Sequence, residues 1–301
     1  MNKINYTFII PHKDSPELLK RCLNSIPHRN DIQIIIVDDN SNENIVNFDE
    51  FPGNDVKLAE LYFTKTNKGA GYARNYGLKY AKGKWILFAD ADDFYTENLS
   101  NLLDKYVDDN VTDIVYLNSQ IIHDDYSTEP YIFNSYIHKY LSNSFYSKMV
   151  IKYGVWTPWT RMVKKAIIDK NQLKYEEIPI GNDLLFCLKC SKYANTMSVE
   201  KNIIYNYYRP QKGSITDKKY NLSTIDSRIN NTIKMNKLYD SVNYIFKGTI
   251  IEILIPYKKE FISNREYLKF LYTTYNKYKY SIIFDFINLI KLKLGRKLHI
   301  I

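Results

Sequence analysis

Two clusters of carboxylates stand directly after short apolar runs: Asp38 and Asp39 follow IIIV, and Asp90, Asp92 and Asp93 follow WILFA. Like charges this close repel one another, so they add nothing to the stability of a strand end. They make chemical sense when a hard cation or a set of ligand hydroxyls lies between them. Oxygen donors suit Mg2+ or Mn2+, ions that take few protein carboxylates and complete their shell with water and phosphate oxygens. The competing explanation is that Asp and Asn simply end strands and open turns. It accounts for the stretch DDNS as well as a ligand does. It fits ADADD less well, where three carboxylates fall within four residues. A site for a metal ion and a diphosphate is the reading carried forward.

Other reactive residue types point to less. Cys187 and Cys190 form a C-x-x-C inside the apolar, helix-like run DLLFCLKCSKYA, with no second pair or nearby His to complete a zinc site. With Cys22 they are expected to be packing residues in a reducing cytoplasm. The glycines of NKGAGYARNYG do not have the G-x-G-x-x-G spacing and follow the third strand rather than the first, which argues against a dinucleotide fold. Arg74, within that stretch, either reaches toward a nucleotide or phosphate or makes a surface salt bridge.

These residues need a scaffold that brings strand ends together. Strands are expected over Tyr6 to Pro11, Ile32 to Val37, Leu58 to Thr64, Trp85 to Ala89 and Asp113 to Leu117, most of them continuously apolar as in a sheet covered on both faces. Helices are expected over SPELLKRCLNSI, with Ser15 as N-cap and Pro16 in the first turn, then over Gly71 to Ala81 and Thr96 to Val107. Strand–helix–strand alternation gives an α/β fold with a mostly parallel sheet, whose ligands bind at the carboxyl ends of the strands. Further on, the pattern predicts a helix from His138 to Tyr153, another from Asp183 to Ala194, and a strand from Met197 to Tyr207. The remainder is expected to be helical, with a boundary near Lys218: a catalytic domain over 1–218 and a basic helical region over 219–301.

Composition sets the outer limits. With 301 residues, 45% hydrophobic and 25% charged, the chain can bury a core and is not disordered or fibrous. Residues 231–301 hold 13 Lys/Arg against 5 Asp/Glu, so +8 of the net +9 lies in the tail. That asymmetry argues for an anionic surface as partner of the tail rather than nucleic acid along the whole protein. The opening MNKINYTFIIPHKD is too short in its apolar part for a signal peptide, and IIFDFINLI is too short to span a bilayer. The expected location is cytoplasmic, with the basic tail either resting on the inner membrane surface or packed on protein.

Taken together, FIIPHKDSPELLKRCLNSI, IIIVDDNSNEN and NKGAGYARNYGLKYAKGKWILFADADDFY resemble, in order and spacing, the family 2 glycosyltransferases of bacterial surface-polysaccharide synthesis. The resemblance covers Asn5 to Leu103 well and thins toward Thr216. It implies a GT-A fold, a nucleotide-sugar donor (usually a UDP-sugar), a glycan or lipid-linked oligosaccharide acceptor, and Mn2+ or Mg2+. It implies that Asp39, with Asp38 beside it, contacts the base or ribose, and that Pro11 and His12 line the nucleotide pocket with Arg74 near the base. Asp90-Ala91-Asp92 is similar to the family's D-x-D motif. Asp92 then ligates the metal, Asp90 contacts ribose or donor sugar, and Asp93 is the acidic residue that commonly follows.

The family also carries a catalytic Asp at the start of a later helix. IGNDLLF matches with Asp183 as the base, although Asn182 stands where Glu is common, and Glu176 and Glu177 are nearby rivals. From the residues alone Asp183 is equally well a helix N-terminal acid favoured by the dipole. Arg209, Lys212 and Ser214, in YNYYRPQKGSIT, resemble a loop that closes over the diphosphate, or form a plain basic turn. Trp156 and Trp159 offer an apolar platform for an acceptor sugar, or pack in the core. The implied activity is inverting glycosyl transfer. The alternatives are nucleotidyl transfer and a silent nucleotide-binding assembly subunit at the membrane. Oligomerisation is open.

Overall fold

Runs of Ile, Val and Phe without polar interruption become the middle of the sheet. In the computed structural model β1 (Tyr6–His12), β2 (Ile32–Asp39) and β4 (Trp85–Phe88) are buried along almost their whole length. With β3 (Ala59–Thr64) they form a parallel array in the order β3-β2-β1-β4. Alternation along β1 sends Tyr6, Phe8 and Ile10 to one face and Ile9 to the other. The first face is covered by α1 (Pro16–Asn24) and α3 (Asn98–Tyr106). The second is covered by α2 (Ala70–Leu78) and α7 (Leu184–Tyr193).

Beyond β4 the sheet turns mixed, so the expected parallel order holds only for its first half. β8 (Arg161–Lys164) enters from a 3-10 turn at Pro158–Thr160 and runs antiparallel to both β4 and β6 (Ile114–Ile122). β9 (Met197–Tyr208) pairs in parallel with β6 and antiparallel with β5 (Phe94–Tyr95), while β7 (Thr128–Pro130) continues the β6 edge. The expected helix from His138 to Tyr153 is two, α4 (Asn134–Leu141) and α5 (Phe145–Gly154), and a short α6 (Lys165–Lys170) follows β8.

The structure describes residues 3–142, 145–210, 224–260, 263–279 and 282–297. The chain divides into two units, Met1–Ile178 with Asn182–Ser214, and Pro179–Gly181 with Ile215–Ile301. The expected boundary at Lys218 lies outside the described residues. The second unit holds α8 (Ile225–Asp240), α9 (Ile250–Leu254) and α10 (Asn264–Tyr278), which share the core Ile225, Ile229, Ile250, Leu254 and Tyr275, and α11 (Ile282–Lys297).

Candidate active site

Strand register assembles the first acidic pair. His12 faces Asp38 across β1 and β2, and Asp39 faces Thr64 across β2 and β3. His12 Nδ1 lies 2.8 Å from Asp38 Oδ2, while His12 Nε2 accepts the Ser15 N–H at 3.2 Å. The second bond assigns the ring proton to Nδ1, so His12 donates to Asp38. Asp38 also accepts the Ser41 N–H at 3.0 Å and the Ser41 hydroxyl at 2.5 Å. Burial raises the pKa of Asp38, but the His12 and Ser41 bonds outweigh it and hold the carboxyl below its usual range.

Asp39 accepts the Thr64 hydroxyl at 3.0 Å and the Lys68 N–H at 3.1 Å on Oδ1, and the Gly69 N–H at 2.6 Å on Oδ2. Gly69 has φ of +88°, a left-handed conformation that only glycine adopts easily and that forms part of this turn into α2. A carboxylate offers about four acceptor positions, so Asp39 keeps roughly one on Oδ2 for a ligand.

The second cluster is arranged differently. Asp93 is fully buried and takes the Tyr205 hydroxyl at 2.8 Å and the Tyr208 N–H at 2.8 Å. Burial pushes its carboxyl well above the usual range, as do Asp92 and Asp90. Asp93 is therefore a tie between the turn and β9, closed off from any ligand. Tyr205 does double duty, since its hydroxyl also accepts the Asp90 N–H at 3.0 Å. Asp90 and Asp92 remain open at the mouth of the strand ends. Asp92 is pushed up to about 6, first by the protein packed around it and then by the charge of Asp90. Because the side chain faces solvent, the Asp90 repulsion is the firmer of these causes. The Arg21 guanidinium donates to the Asp92 carbonyl at 2.6 Å and lies over the rings of Phe94 and Tyr208.

Helix α2 joins this cluster to the start of α7. Arg74 is buried and donates from Nη2 to Asp90 at 2.5 Å and from Nη1 to Asn182 at 3.1 Å, with its guanidinium over the Tyr175 ring. Burial lowers its pKa, but Asp90 and its other anionic neighbours raise it further, so it stays charged. Asn75, on the same helix face, donates to the Tyr175 carbonyl at 3.0 Å and accepts the Tyr175 N–H at 2.8 Å. A Cβ on Gly71 would lie 2.4 Å from the Glu176 carbonyl oxygen, so only glycine permits this approach. Asp183 is the residue before α7, and its side chain makes no capping bond to the helix. Burial pushes its carboxyl upward, and Arg74 offsets part of this.

The remaining expected residues divide. His12 is buried against Asp38 and the Phe51 ring, so it orients Asp38 rather than lining an open pocket. Pro11 is half-buried opposite Val37, and Ala91 is buried between the two open carboxylates. Trp159 is 3% exposed and stacks on Tyr205 and Tyr207 at 4.8 and 5.5 Å, which makes it a core residue rather than a sugar platform. Trp156 is 39% exposed with an edge contact to Phe133. Arg209 lies 3.6 Å from Glu129 and over the Tyr207 ring. Lys212 and Ser214 lie outside the described residues. Sequence reasoning passed over Gly71, Asn75, Tyr205 and the Arg74–Asn182 bond. Only the i, i+3, i+4 spacing of Gly71, Arg74 and Asn75 could have flagged a shared helix face.

Among the described residues no three His, Cys, Asp or Glu side chains converge as a metal cage. The donor set instead fits an ion held by one open carboxylate, Asp92, whose charge is repelled by Asp90 and which leaves most positions for phosphate and water oxygens.

Known proteins resemble this chain in sequence and in fold. The chain is 23% identical over 224 residues, 70% of its length, to poly(ribitol-phosphate) β-N-acetylglucosaminyltransferase TarS of Staphylococcus aureus. It is 28% identical over 217 residues, 66% of its length, to the TarP enzyme of the same description and species. It spans 36% of the length of TarS and 61% of that of TarP. It is also 28% identical over 196 residues to the UDP-Glc:α-D-GlcNAc-diphosphoundecaprenol β-1,3-glucosyltransferase WfaP of Escherichia coli, covering 63% of this chain and 70% of that one. The crystal structure of TarS residues 1–349 in complex with UDP-GlcNAc matches with a TM-score of 0.60 at 20% identity, over 76% of this chain and 66% of that one. The fold is the GT-A type expected from the sequence. A profile described as glycosyl transferase family 2 matches residues 7–167, which hold both acidic clusters and Arg74; at more than half of the chain, that match makes this protein a member of glycosyl transferase family 2.

Proposed function

We propose that the protein transfers a sugar from a UDP-sugar to a hydroxyl of a growing bacterial surface glycan or lipid-linked oligosaccharide, with inversion at the anomeric carbon. The observation that carries this reading is Arg74, one guanidinium bonded at once to Asp90 and to Asn182, the neighbour of Asp183. It ties Asp90 to the neighbour of a half-buried carboxyl whose proton affinity is raised. The relatives support a nucleotide-sugar donor, since two are described as N-acetylglucosaminyltransferases and one as a glucosyltransferase.

In this reading Asp92 holds Mn2+ or Mg2+, and the ion, when bound, supplies positive charge to the leaving diphosphate. Asp39 offers its remaining acceptor position to the nucleoside, with His12 and Asp38 bracing the strand ends beneath it. Arg74 neutralises Asp90 so that the site does not repel a diphosphate outright. The acceptor oxygen bonds to the anomeric carbon from the face opposite the diphosphate, the bond to the diphosphate oxygen breaks, and the hydroxyl proton passes to Asp183. A single displacement of this kind leaves no covalent sugar–enzyme species. A base with proton affinity above the ordinary carboxylate range suits that task.

The test is transfer from UDP-GlcNAc and UDP-glucose with Asp183→Asn. The variant should keep its UDP-induced rise in melting temperature while transfer falls about 10²–10⁴-fold. Full transfer in that variant sinks the base assignment, and release of pyrophosphate instead of UDP turns the reading to nucleotidyl transfer. In the wild type the rate should fall on the acid side at a pH above the usual carboxylate range, because Asp183 must lose its proton to act.

A further inference from the structure

Helix α11 is folded with its polar side inward and an apolar side outward. Asp285 and Asn288 are buried, together with Leu289 and Leu292. Asp285 accepts the N–H groups of Ile250 and Ile251, both at 2.9 Å, and the Tyr275 hydroxyl. These bonds fasten α11 to the start of α9 and to α10. On the other side Ile283, Phe286, Ile287, Ile290 and Leu294 are 46–71% exposed. At about 100° per residue these five fall within an arc of about 100°, a continuous stripe along the helix. Lys291 borders the stripe on one side and Lys293 on the other, both exposed, and exposed Lys297 lies at its carboxyl end.

We infer that this face of α11 lies on an anionic lipid surface. Cations on both margins of an apolar stripe match a planar interface, where the stripe enters the acyl boundary and the lysine stems reach back to the phosphates. A second copy of the chain fits less well. The only acid on α11 is Asp285, which is consumed inside the unit, so pairing α11 with α11 would bring lysines together without a counter-charge. The helix lies along the surface and does not cross it, since no helix among the described residues is long and apolar enough to span a membrane. The inference is independent of the transfer reaction, because it needs no donor or acceptor.

Flotation of the full chain with phosphatidylcholine vesicles, with and without phosphatidylglycerol, tests it. The protein should float with the anionic vesicles, weakly with the neutral ones, and less as salt is raised. Ile287→Asp with Ile290→Asp should abolish flotation. Lys291→Gln and Lys293→Gln should each lower the partition coefficient about five-fold. All four side chains face solvent, so the circular-dichroism melt should not change. No flotation with anionic vesicles overturns the inference. So does flotation that survives the double Asp variant, or a dimer in sedimentation velocity that the double Asp variant dissociates.

Discussion

Asp38 and Asp39 at the end of β2, and Asp90 and Asp92 beyond β4, are alike in sequence and opposite in surroundings. The first pair is buried, and each carboxylate takes three hydrogen bonds from its own chain. The second pair faces solvent, and the charge of Asp90 raises the proton affinity of Asp92. The first pair is held by donors of the fold. In the second, Arg74 pairs with Asp90, and Asp92 keeps a raised proton affinity. Carboxylates next to each other in sequence thus divide into internally bonded and exposed ones according to how many donors the surrounding chain supplies.

That contrast can be broken by substitution. Asp92→Asn should lower transfer on the order of 10²–10³-fold, read in the UDP-release assay with saturating Mn2+. It should not unfold the protein. The folded state holds the Asp92 proton more tightly than the unfolded chain does, so its stabilising contribution is complete in acid and is lost as pH rises through about 6. The variant should therefore melt slightly higher than wild type at neutral pH, by at most about 1 kcal/mol given the exposure, and converge with it near pH 4.

Asp38→Asn should do the reverse. Its amide would set an N–H against His12, whose other nitrogen already accepts the Ser15 N–H, or against Ser41. A loss of about 2–4 kcal/mol in urea unfolding is expected. Equal stability in Asp38→Asn and wild type would mean that the His12 and Ser41 bonds do not hold the end of β2. The smallest effect sharpens the same point: Thr64→Val removes one donor from Asp39 and should cost about 1–2 kcal/mol in the same urea titration, with UDP affinity little changed.

The parallel half of the sheet could be read from the sequence because β1, β2 and β4 are uninterrupted apolar runs, with helix-like stretches before β2 and β4. β8 could not be, since four residues after the Trp- and Pro-rich turn carry no periodicity, and its antiparallel placement depends on β4 and β6. The acidic positions were legible as strand ends. Their division into buried and open was not: Ser41 is local to Asp38, but strand register brings His12 and Thr64 near, and the turn before α2 supplies the Lys68 and Gly69 N–H groups. Trp156 and Trp159, three residues apart, gave no hint that one is core and the other surface. The stacking partners of Trp159 are on β9, more than forty residues away.

Arg74 and the segment at Tyr175 and Glu176 share a single mount, the face of α2 that carries Gly71, Arg74 and Asn75. Two instruments bolted to one bench drift together. Small displacements of α2, thermal or inherited through mutation, should carry the arginine and the neighbourhood of Asp183 in the same direction and leave their separation nearly unchanged. Gly71→Ala would insert a shim between bench and instrument. Its damage should then register as lost alignment in the turnover number more than as lost affinity for the nucleotide.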